Sequence, residues 1–310
     1  MKVACVIVNY RTATLTLHAL EAVLHELDAL GGRALVVDND SGDDAYATIC
    51  EAVVRNGWDD RVDVFASPRN GGFGAGNNLA IAHAMEWASP PDYVYLLNPD
   101  ARPDAGAVRS LVEFMDGRAD VGIAGSQLRR PGGALHPSAF RFPSLLSEVE
   151  HGLRLGIASR LLDRWRVSLP IPARTCRVDW VSGASMMLRC SMLEQIGWFD
   201  ENFFLYFEET DVALRAAKAG WATMHVADSR VEHIGHASTG MDGTRRCPTY
   251  WFESRAYYLQ KHYGRRMRFA ANVAFAGARI VPELRNAMGR SHDDPPHLSR
   301  DFVAFNFGRS

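Results

Sequence analysis

The first 125 residues alternate between short apolar runs and stretches with helical periodicity. Between the runs, apolar residues recur at three- and four-residue spacing, as in Leu20, Val23, Leu24 and Leu27. Continuously apolar strands that alternate with helices are typical of a parallel sheet covered by helices on both faces. The sequence therefore predicts an α/β fold with a mostly parallel central sheet. The predicted strands are VACVIV (3–8), ALVVD (34–38), VDVFAS (62–67), YVYLL (93–97) and VGIAG (121–125).

The pattern changes after residue 125. Residues 126–177 contain RRPGGALHPSAFRFP, rich in Pro, Gly and Arg, and then a helical pattern, so we interpret them as an insertion over the sheet edge. VDWVSGASMMLR then resumes the core, residues 191–221 predict a helix, a turn and a helix, and ATMHVA and SRVEHIG predict two late strands. From Tyr250 the chain looks helical, basic and amphipathic until Pro282 interrupts it. We expect a main domain over residues 1–240 and a helical C-terminal extension over residues 241–310.

Composition excludes several classes of protein. The formal net charge of −2 gives no reason to expect a nucleic-acid partner. Five scattered cysteines without a C-x-x-C pair favour reduced thiols in the cytoplasm over a disulfide framework or a zinc site. The N-terminal apolar run is too short for a signal peptide, and no window reaches the roughly 18 apolar residues of a membrane span. We expect a cytoplasmic enzyme-sized chain.

Polar residues stand where three of the predicted strands end. Asn9, Asp38 and Asp100 follow the first, second and fourth strands, and ligands of parallel sheets bind beyond these carboxyl ends. Asp100 could ligate a divalent cation, with Asn98 bonding sugar hydroxyls, and Asp38 could accept an N–H from a pyrimidine ring. The alternative is that Asn-Pro-Asp is a turn and DNDSGDD a loop with a helix cap.

The segment NGGFGAGNN (70–78) predicts a glycine-rich turn that enters a helix beginning at Asn77. Its glycines allow close backbone approach, and a helix N-terminus attracts anions. The dinucleotide-binding fingerprint fails, because Asn77 stands where the third glycine would be and because the loop follows the third strand instead of the first.

Acidic and aromatic residues are interleaved in FFLYFEETDVALRAAKAGW. Glu208, Glu209 and Asp211 could be structural, since acids complement a helix N-terminus and Asp211 can pair with Arg215. The crowding aromatic residues also indicate desolvation, which raises the proton affinity of a carboxylate and suits a general base. His233 carries little weight alone, because a histidine at a strand end is more often hydrogen-bonded than metal-bound.

Taken together in this order, the motifs resemble those of a family 2 glycosyltransferase with the GT-A fold, over residues 3 to 240. The motifs are IVNYR, VVDNDSGD, NGGFGAGNN, LLNPDARPD, VSGASMMLR, GWFDENFFLYFEETDVALRAAKAGW and VEHIGHAS. Within the family the chain is most similar to bacterial rhamnosyltransferase-like members that build cell-surface polysaccharides.

The resemblance implies a role for each matching residue. Asp100 and His233 would hold Mg²⁺ or Mn²⁺, and Asn98 departs from the first aspartate of the family's D-x-D motif. Glu209 would be the general base, with Glu208 and Asp211 as supports. Asp38 would contact the base of the nucleotide. The other donor-binding residues would be Asn9, Tyr10, Asn70, Gly72, Phe73, Asn77 and Asn98. The acceptor side would be formed by Trp180, Gly183, Phe204 and Tyr206, with residues 126–177 setting specificity.

The resemblance also implies inverting transfer of a sugar from a nucleotide-diphospho-sugar to a carbohydrate, lipid-linked or small-molecule hydroxyl. Deoxythymidine-diphospho-rhamnose is the first expectation for the donor, and uridine-diphospho sugars, including galactofuranose, are its competitors. The basic tail, KHYGRRMRF and VAFAGARIV, would suit a lipid-linked acceptor at the inner face of the membrane, or would pack on the main domain or on a second subunit in a homodimer. The packing interpretation is favoured. A nucleotidyltransferase, which usually has a glycine-rich loop after its first strand, and a non-catalytic nucleotide-sugar binder stay open as alternatives.

Overall fold

The computed structural model describes residues 2–153, 156–235, 245–289 and 294–308. The first four strands are parallel neighbours in the order β3-β2-β1-β4. Each connection between them contains a helix, as the sequence predicts. The elements of this half are β1 (Val3–Asn9), α1 (Ala13–Leu30), β2 (Arg33–Asp38), α2 (Ala45–Arg55), β3 (Val62–Ala66), α3 (Gly72–Met85) and β4 (Tyr93–Leu97).

The second half extends the same sheet in the order β4-β11-β6-β12-β5. Strand β11 runs antiparallel to both of its neighbours, so the sheet is mixed. The elements up to the insertion's end are β5 (Ala101–Pro103), α4 (Ala107–Asp116), β6 (Val121–Arg129), β7 (Leu135–His136), β8 (Ala139–Phe140), α5 (Leu145–Leu153), α6 (Gly156–Leu161) and a 3₁₀ turn (Asp163–Trp165). The remaining elements are β9 (Cys176–Val178), β10 (Trp180–Val181), β11 (Ser185–Arg189), α7 (Cys190–Ile196), α8 (Glu208–Lys218), β12 (Ala222–His233), α9 (Thr249–Ala287) and α10 (Leu298–Phe307).

Two apolar layers explain why the strands have no polar face. In β1 the side chains of Val3, Cys5 and Ile7 pack into one hydrophobic cluster, and those of Ala4 and Val6 pack into the other. The first cluster includes residues of α1, α2 and α4, and the second includes residues of α3, α7 and α8. Helices thus cover both faces of the sheet, which confirms the α/β expectation.

Local structure differs from the sequence-based prediction at several points. Helix α3 begins at Gly72 instead of Asn77, so three glycines of NGGFGAGNN are helical. VDWVSGASMMLR forms three short strands, β9 to β11, instead of one. The two predicted late strands are one strand, β12, with an irregularity in its pairing to β6 between Val226 and Arg230.

The C-terminal helix breaks at a glycine and not at the predicted proline. Helix α9 continues through Pro282 to Ala287, but Gly264 has φ 84° and ψ 169°, which no helical residue adopts. The two halves of α9 fold back on each other, because Arg255 in the first half donates a hydrogen bond to Asn272 in the second at 2.7 Å. We call residues 249–287 the C-terminal hairpin.

The insertion packs against this hairpin. Arg255 and Glu148 of α5 form a buried ion pair at 2.6 Å, and Arg255 is only 2% exposed. Among the helices that the structure describes, none is long and apolar enough to cross a membrane.

Candidate functional site

Two adjoining cavities lie at the carboxyl ends of β1, β2 and β4. We call the first, of about 200 Å³, the carboxylate cavity, because Asp100, Glu208 and Glu209 line it. We call the second, of about 300 Å³, the glycine-loop cavity, because Asn70 and Gly72 line it. The lining residues common to both are Phe73, Asn98 and Leu205, so the cavities share a wall.

Asp100 and His233 meet in the carboxylate cavity although they lie far apart in sequence. Strand β5 follows Asp100 directly, and its antiparallel pairing with β12 places His233 opposite Ala101. The Nε2 atom of His233 lies 3.2 Å from Oδ1 of Asp100. The backbone N–H of Gly235 donates a hydrogen bond to the other carboxylate oxygen at 3.0 Å. Both side chains are largely buried yet line the cavity.

This pair has the chemistry of a small divalent-metal site. Mg²⁺ and Mn²⁺ accept carboxylate oxygen and imidazole nitrogen, and Mg²⁺ often takes few protein ligands beside substrate phosphates. Within the described ranges no group of three His, Cys, Asp or Glu side chains could hold a metal ion, so water or substrate phosphate oxygens would supply the other ligands. Asn98 lines both cavities and adds an amide without a charge.

The two adjacent glutamates are aimed into the same cavity by an unusual turn. Helix α8 begins at Glu208, and the two residues before it, Tyr206 and Phe207, both have left-handed backbones with φ 68° and φ 71°. Bulky residues rarely adopt this conformation, and it costs about 1–3 kcal/mol at each position. Strain of this kind is found where the surroundings hold a functional group in place.

Burial changes the acidity of both glutamates. One carboxylate oxygen of Glu208 and one of Glu209 are buried without a hydrogen-bond partner. Burial raises the pKa of Glu208 well above its usual range, and the charge of Glu209 adds to the rise. Burial also raises the pKa of Glu209, while its own N–H and that of Gly183 act in the opposite direction. Both acids therefore hold protons more strongly than exposed glutamates.

Asp211 points away from the cavities. It is fully buried and contacts Arg215 at 2.8 Å, as the sequence predicts, and also Lys261 at 2.6 Å and His262 at 2.7 Å. Burial alone would raise the pKa of Asp211, but the hydrogen bonds with His262 and Lys261 and the charge of Arg215 lower it. This carboxylate joins α8 to the C-terminal hairpin, so the predicted support of Asp211 for catalysis would act through the position of α8.

Asn9 and Asp38 lie at the predicted edge but bond to the protein itself. The Nδ2 group of Asn9 donates to Asp38 at 2.7 Å, and its oxygen accepts from Thr16 at 2.9 Å. Asp38 also accepts hydrogen bonds from the hydroxyl and the N–H of Ser41. Neither side chain lines either cavity, and their predicted roles at the donor site, with Asp38 at the nucleotide base, stay predictions. Asn39, the next residue, lines the glycine-loop cavity instead.

The glycine loop needs glycine where another segment touches it. Gly72 has φ +83°, and a Cβ there would lie 1.7 Å from the carbonyl oxygen of Phe204. Phe73 follows and donates its N–H to the same oxygen at 3.1 Å. Asn70 lines the cavity and accepts from the N–H of Gly72 at 3.1 Å. Asn77 is buried within α3 and donates to the carbonyl of Phe73, and its predicted contact with the donor stays a prediction.

Three of the four predicted acceptor-side residues line a cavity. Gly183 and Tyr206 line the carboxylate cavity, and Phe204 lines the glycine-loop cavity. Trp180 does not, because its ring stacks on Phe140 with centroids 4.1 Å apart and its Nε1–H donates to a carbonyl of the insertion. Trp180 thus occupies a packing position beside the insertion, and its predicted contact with the acceptor stays a prediction.

Sequence reasoning missed several lining residues. His136 of the insertion lines the carboxylate cavity with its ring centroid 6.3 Å from that of His233. Tyr250 and Tyr10 line the glycine-loop cavity, and only Tyr10 had been predicted. A histidine in a Pro- and Gly-rich stretch could have drawn attention to His136, but nothing local distinguishes Tyr250 from the tyrosines that follow it. The other unpredicted lining residues include Asn39, Ser182 and Leu205.

Two models of known protein families match the chain. The model of "Glycosyl transferase family 2" matches residues 4–176, and that of "Glycosyl transferase family group 2" matches residues 93–292. The chain belongs to glycosyl transferase family 2. The family expected from the sequence motifs is thus confirmed for more than half of the chain.

Two curated relatives of this family 2 chain are named as rhamnosyltransferases. The N-acetylglucosaminyl-diphospho-decaprenol L-rhamnosyltransferase of Mycobacterium tuberculosis is 28% identical over 204 residues, which cover 63% of this chain and 66% of that protein. Rhamnosyltransferase WbbL of Escherichia coli is 26% identical over 167 residues, covering 53% of this chain and 61% of that protein. The chain thus spans just under two thirds of the length of these relatives.

A solved structure confirms the GT-A fold. The mannosyltransferase PcManGT from Pyrobaculum calidifontis, in complex with GDP-Man and Mn²⁺, superimposes with a TM-score of 0.59 at 13% identity, covering 98% of this chain and 78% of that chain. At this identity the likeness shows the fold alone.

Proposed function

We propose that this chain is an inverting glycosyltransferase that moves a sugar from a nucleotide-diphospho-sugar to a hydroxyl acceptor. One observation carries the proposal: Asp100, His233 and Glu209 open into one cavity that adjoins the glycine-loop cavity. A diphosphate held beside Asp100 would thus place its sugar near a buried carboxylate. The catalytic domain would extend over residues 1–240, with residues 241–310 as its helical extension.

Glu209 is the proposed general base. Its carboxylate is buried at one oxygen, which raises its pKa and makes it a stronger proton acceptor than an exposed glutamate. The N–H of Gly183 orients the carboxylate. Glu209 would take the proton of the acceptor hydroxyl while that oxygen attacks the anomeric carbon opposite the diphosphate, so one base is sufficient for inversion. Glu208 would support it through charge and would be the alternative base.

Asp100 and His233 are the proposed ligands of Mg²⁺ or Mn²⁺. When bound, the cation would stabilise the negative charge that develops on the departing diphosphate. The hydrogen bond from Gly235 fixes the orientation of Asp100 for this role. Asn98, in place of a second aspartate, would contribute hydrogen bonds to the sugar or phosphate.

The glycine-loop cavity is the proposed nucleoside site. Tyr10, Phe204 and Tyr250 offer aromatic faces for the base, and Asn39 offers an amide that can pair with a pyrimidine edge. Deoxythymidine-diphospho-rhamnose is the proposed donor, and the names of both curated relatives support rhamnose as its sugar. Uridine-diphospho sugars, including galactofuranose, are the competing donors.

The proposed acceptor is a lipid-linked sugar in the synthesis of cell-surface polysaccharide at the cytoplasmic side of the membrane. The named acceptor of the mycobacterial relative, a diphospho-decaprenol, supports this class. The insertion, residues 126–177, would contribute to acceptor choice, because His136 brings it into the carboxylate cavity.

The first experiment incubates the purified chain with a panel of nucleotide sugars, Mg²⁺ or Mn²⁺, and a lipid-linked acceptor, and measures release of free nucleoside diphosphate. We expect release from deoxythymidine-diphospho-rhamnose, whereas release of pyrophosphate would instead indicate nucleotidyl transfer. Glu209→Gln should lower transfer by about 10²–10⁴-fold with donor binding unchanged. Glu208→Gln is the matched variant, and a larger loss there would make Glu208 the base.

The second experiment tests the metal by calorimetry. Asp100→Ala should abolish the difference in donor affinity measured with and without a chelator, because it removes one of two proposed protein ligands. Asp120→Ala, which removes an exposed carboxylate at a distant surface pair with Arg118, is the control. If the chelator does not change the affinity of the unchanged chain for the donor, the metal assignment is wrong.

A further inference from the structure

An exposed apolar stripe runs along the second half of α9. Phe269, Val273, Ile280 and Leu284 recur at helical spacing and are 63%, 48%, 59% and 60% exposed. We call these four residues the α9 stripe. The opposite side of the same helical segment is buried, since Ala271, Phe275 and Ala278 are at most 7% exposed. The segment therefore has one face in the protein and a second apolar face in solvent.

Helix α10 continues the apolar surface. The rings of Phe269 and Phe307 lie 6.4 Å apart between centroids. Phe307 is 40% exposed, and Val303, one turn earlier, is 47% exposed. Met288, just after α9, is also largely exposed. Clustered apolar side chains of this extent are typical of a binding surface, whereas single exposed residues need no explanation.

The exposed charges beside the α9 stripe are mostly positive. Residues 265–287 and 298–307 contain six arginines, of which Arg279 is buried, and two acidic residues. Both acidic residues are already paired, Glu283 with Arg279 and Asp301 with Arg246. Arg265 and Arg266, just after the break at Gly264, are exposed, as is Arg300 on α10. An apolar stripe flanked by exposed arginines complements the anionic headgroups and acyl chains of a bilayer surface.

We propose that the α9 stripe and its flanking arginines dock this chain on an anionic lipid surface. The apolar side chains would enter the boundary between headgroups and acyl chains, and the guanidinium groups would contact lipid phosphates. A second copy of the chain fits less well, because two such faces would bring arginines together without free acids between them. The inference relies on the proposed lipid-linked acceptor only to explain why the chain would dock on a membrane. Vesicle binding itself is measurable without any acceptor.

The hairpin gives this docking a geometric consequence. The first half of α9 begins beside the glycine-loop cavity, where Tyr250 forms part of the wall. The second half returns along the first, as the contact between Arg255 and Asn272 requires. The docking face and the cavity wall thus belong to one supersecondary unit, so a bound bilayer would lie at a fixed orientation to the donor site.

Vesicle co-sedimentation with the full chain tests the proposal. We expect binding to vesicles of phosphatidylcholine with phosphatidylglycerol, little binding to phosphatidylcholine alone, and weaker binding as salt increases. Ile280→Glu with Leu284→Glu should weaken vesicle binding by more than about 10-fold, because it puts charge into the apolar face. Arg265→Ala with Arg266→Ala should weaken it roughly 30-fold, since each arginine near an anionic surface contributes about a five-fold factor.

Val54→Glu with Arg55→Glu is the matched control, because Val54 is 70% exposed on α2 and Arg55 is exposed beside it. This pair should leave vesicle binding within two-fold. No binding to anionic vesicles, or equal loss in the control, would overturn the proposal. The stripe would instead be a self-association surface if two results were found together. The unchanged chain would not bind vesicles, and the stripe variants would convert a dimer into a monomer in sedimentation velocity. The vesicle assay contains no nucleotide sugar. A chain that is inactive in the transfer assay can therefore still bind vesicles, and the two proposals can fail separately.

Discussion

Replacing Gly72 by alanine should misplace the turn that aims Glu208 and Glu209 into the carboxylate cavity. A Cβ at this position would lie 1.7 Å from the carbonyl oxygen of Phe204, whereas real contacts stay at 3.0 Å or more, so the two segments must separate by about 1.3 Å. That movement would stretch the 3.1 Å hydrogen bond from Phe73 to Phe204. Phe204 lies two residues before Tyr206 and four before Glu208, so the shift would be passed on to the acids.

Two contributions to the loss can be separated by a control. Alanine with a left-handed backbone costs roughly 1–2 kcal/mol wherever it occurs. Gly106 has φ +82°, almost the value of Gly72, but a Cβ there meets nothing within 4 Å. Gly106→Ala should therefore show only the backbone cost. Gly72→Ala should show that cost, about 0.5–1.5 kcal/mol more for the lost hydrogen bond, and a displaced site.

The expected effect on turnover is larger than the effect on stability. A misplacement of about 1 Å can lower catalytic efficiency about 10²-fold. Denaturant unfolding measures the stability of both variants, and release of nucleoside diphosphate measures kcat/KM. If Gly72→Ala turns over within two-fold of Gly106→Ala, the contact with Phe204 does not position the acids and the reasoning fails.

Two further predictions concern buried charges. Glu208→Gln should raise the unfolding midpoint more at pH 8 than at pH 5. Burial raises the folded-state pKa of Glu208, so its favourable contribution to folding is complete below the unfolded pKa and is lost as pH rises through the folded one. If the difference in midpoint between Glu208→Gln and the unchanged chain is the same at both pH values, burial does not raise the pKa of Glu208. Arg255→Ala should lower the free energy of unfolding by about 3–5 kcal/mol, because it leaves the carboxylate of Glu148 buried without its cation. Arg118→Ala, which breaks an exposed pair, should change the denaturation curve little, and equal effects of the two changes would contradict the distinction.

The sequence predicted which strand ends carry polar groups, but not where the side chains point. Apolar runs mark the strands, and parallel strands bring Asn9, Asp38 and Asp100 to one edge. Their orientations depend on partners that are distant in sequence. Thr16 and Ser41 hold Asn9 and Asp38 inside, whereas strand β12 turns His233 towards Asp100.

The misread helix features have a similar origin. Asp211 follows two glutamates, which suggests a supporting acid, but two of the side chains that bind it, Lys261 and His262, come from the C-terminal hairpin about 50 residues later. The break in α9 falls at Gly264, a residue type that disfavours helices, whereas the sequence-based prediction places the interruption at Pro282. A proline inside a helix removes one backbone hydrogen bond and can kink the helix without ending it.

The left-handed turn at Tyr206 and Phe207 makes the main domain depend on the C-terminal hairpin. Ser254 of the hairpin donates a hydrogen bond to the carbonyl of Leu205 at 3.0 Å, and the ring of Phe207 packs 5.4 Å from that of Tyr258. These contacts hold two bulky residues in a conformation that they would leave if released. A chain cut after residue 240 would keep both glutamates, Asp100 and His233, yet its glutamates would relax out of register with them. The hairpin therefore acts as a brace for the acids and is not a separable appendage.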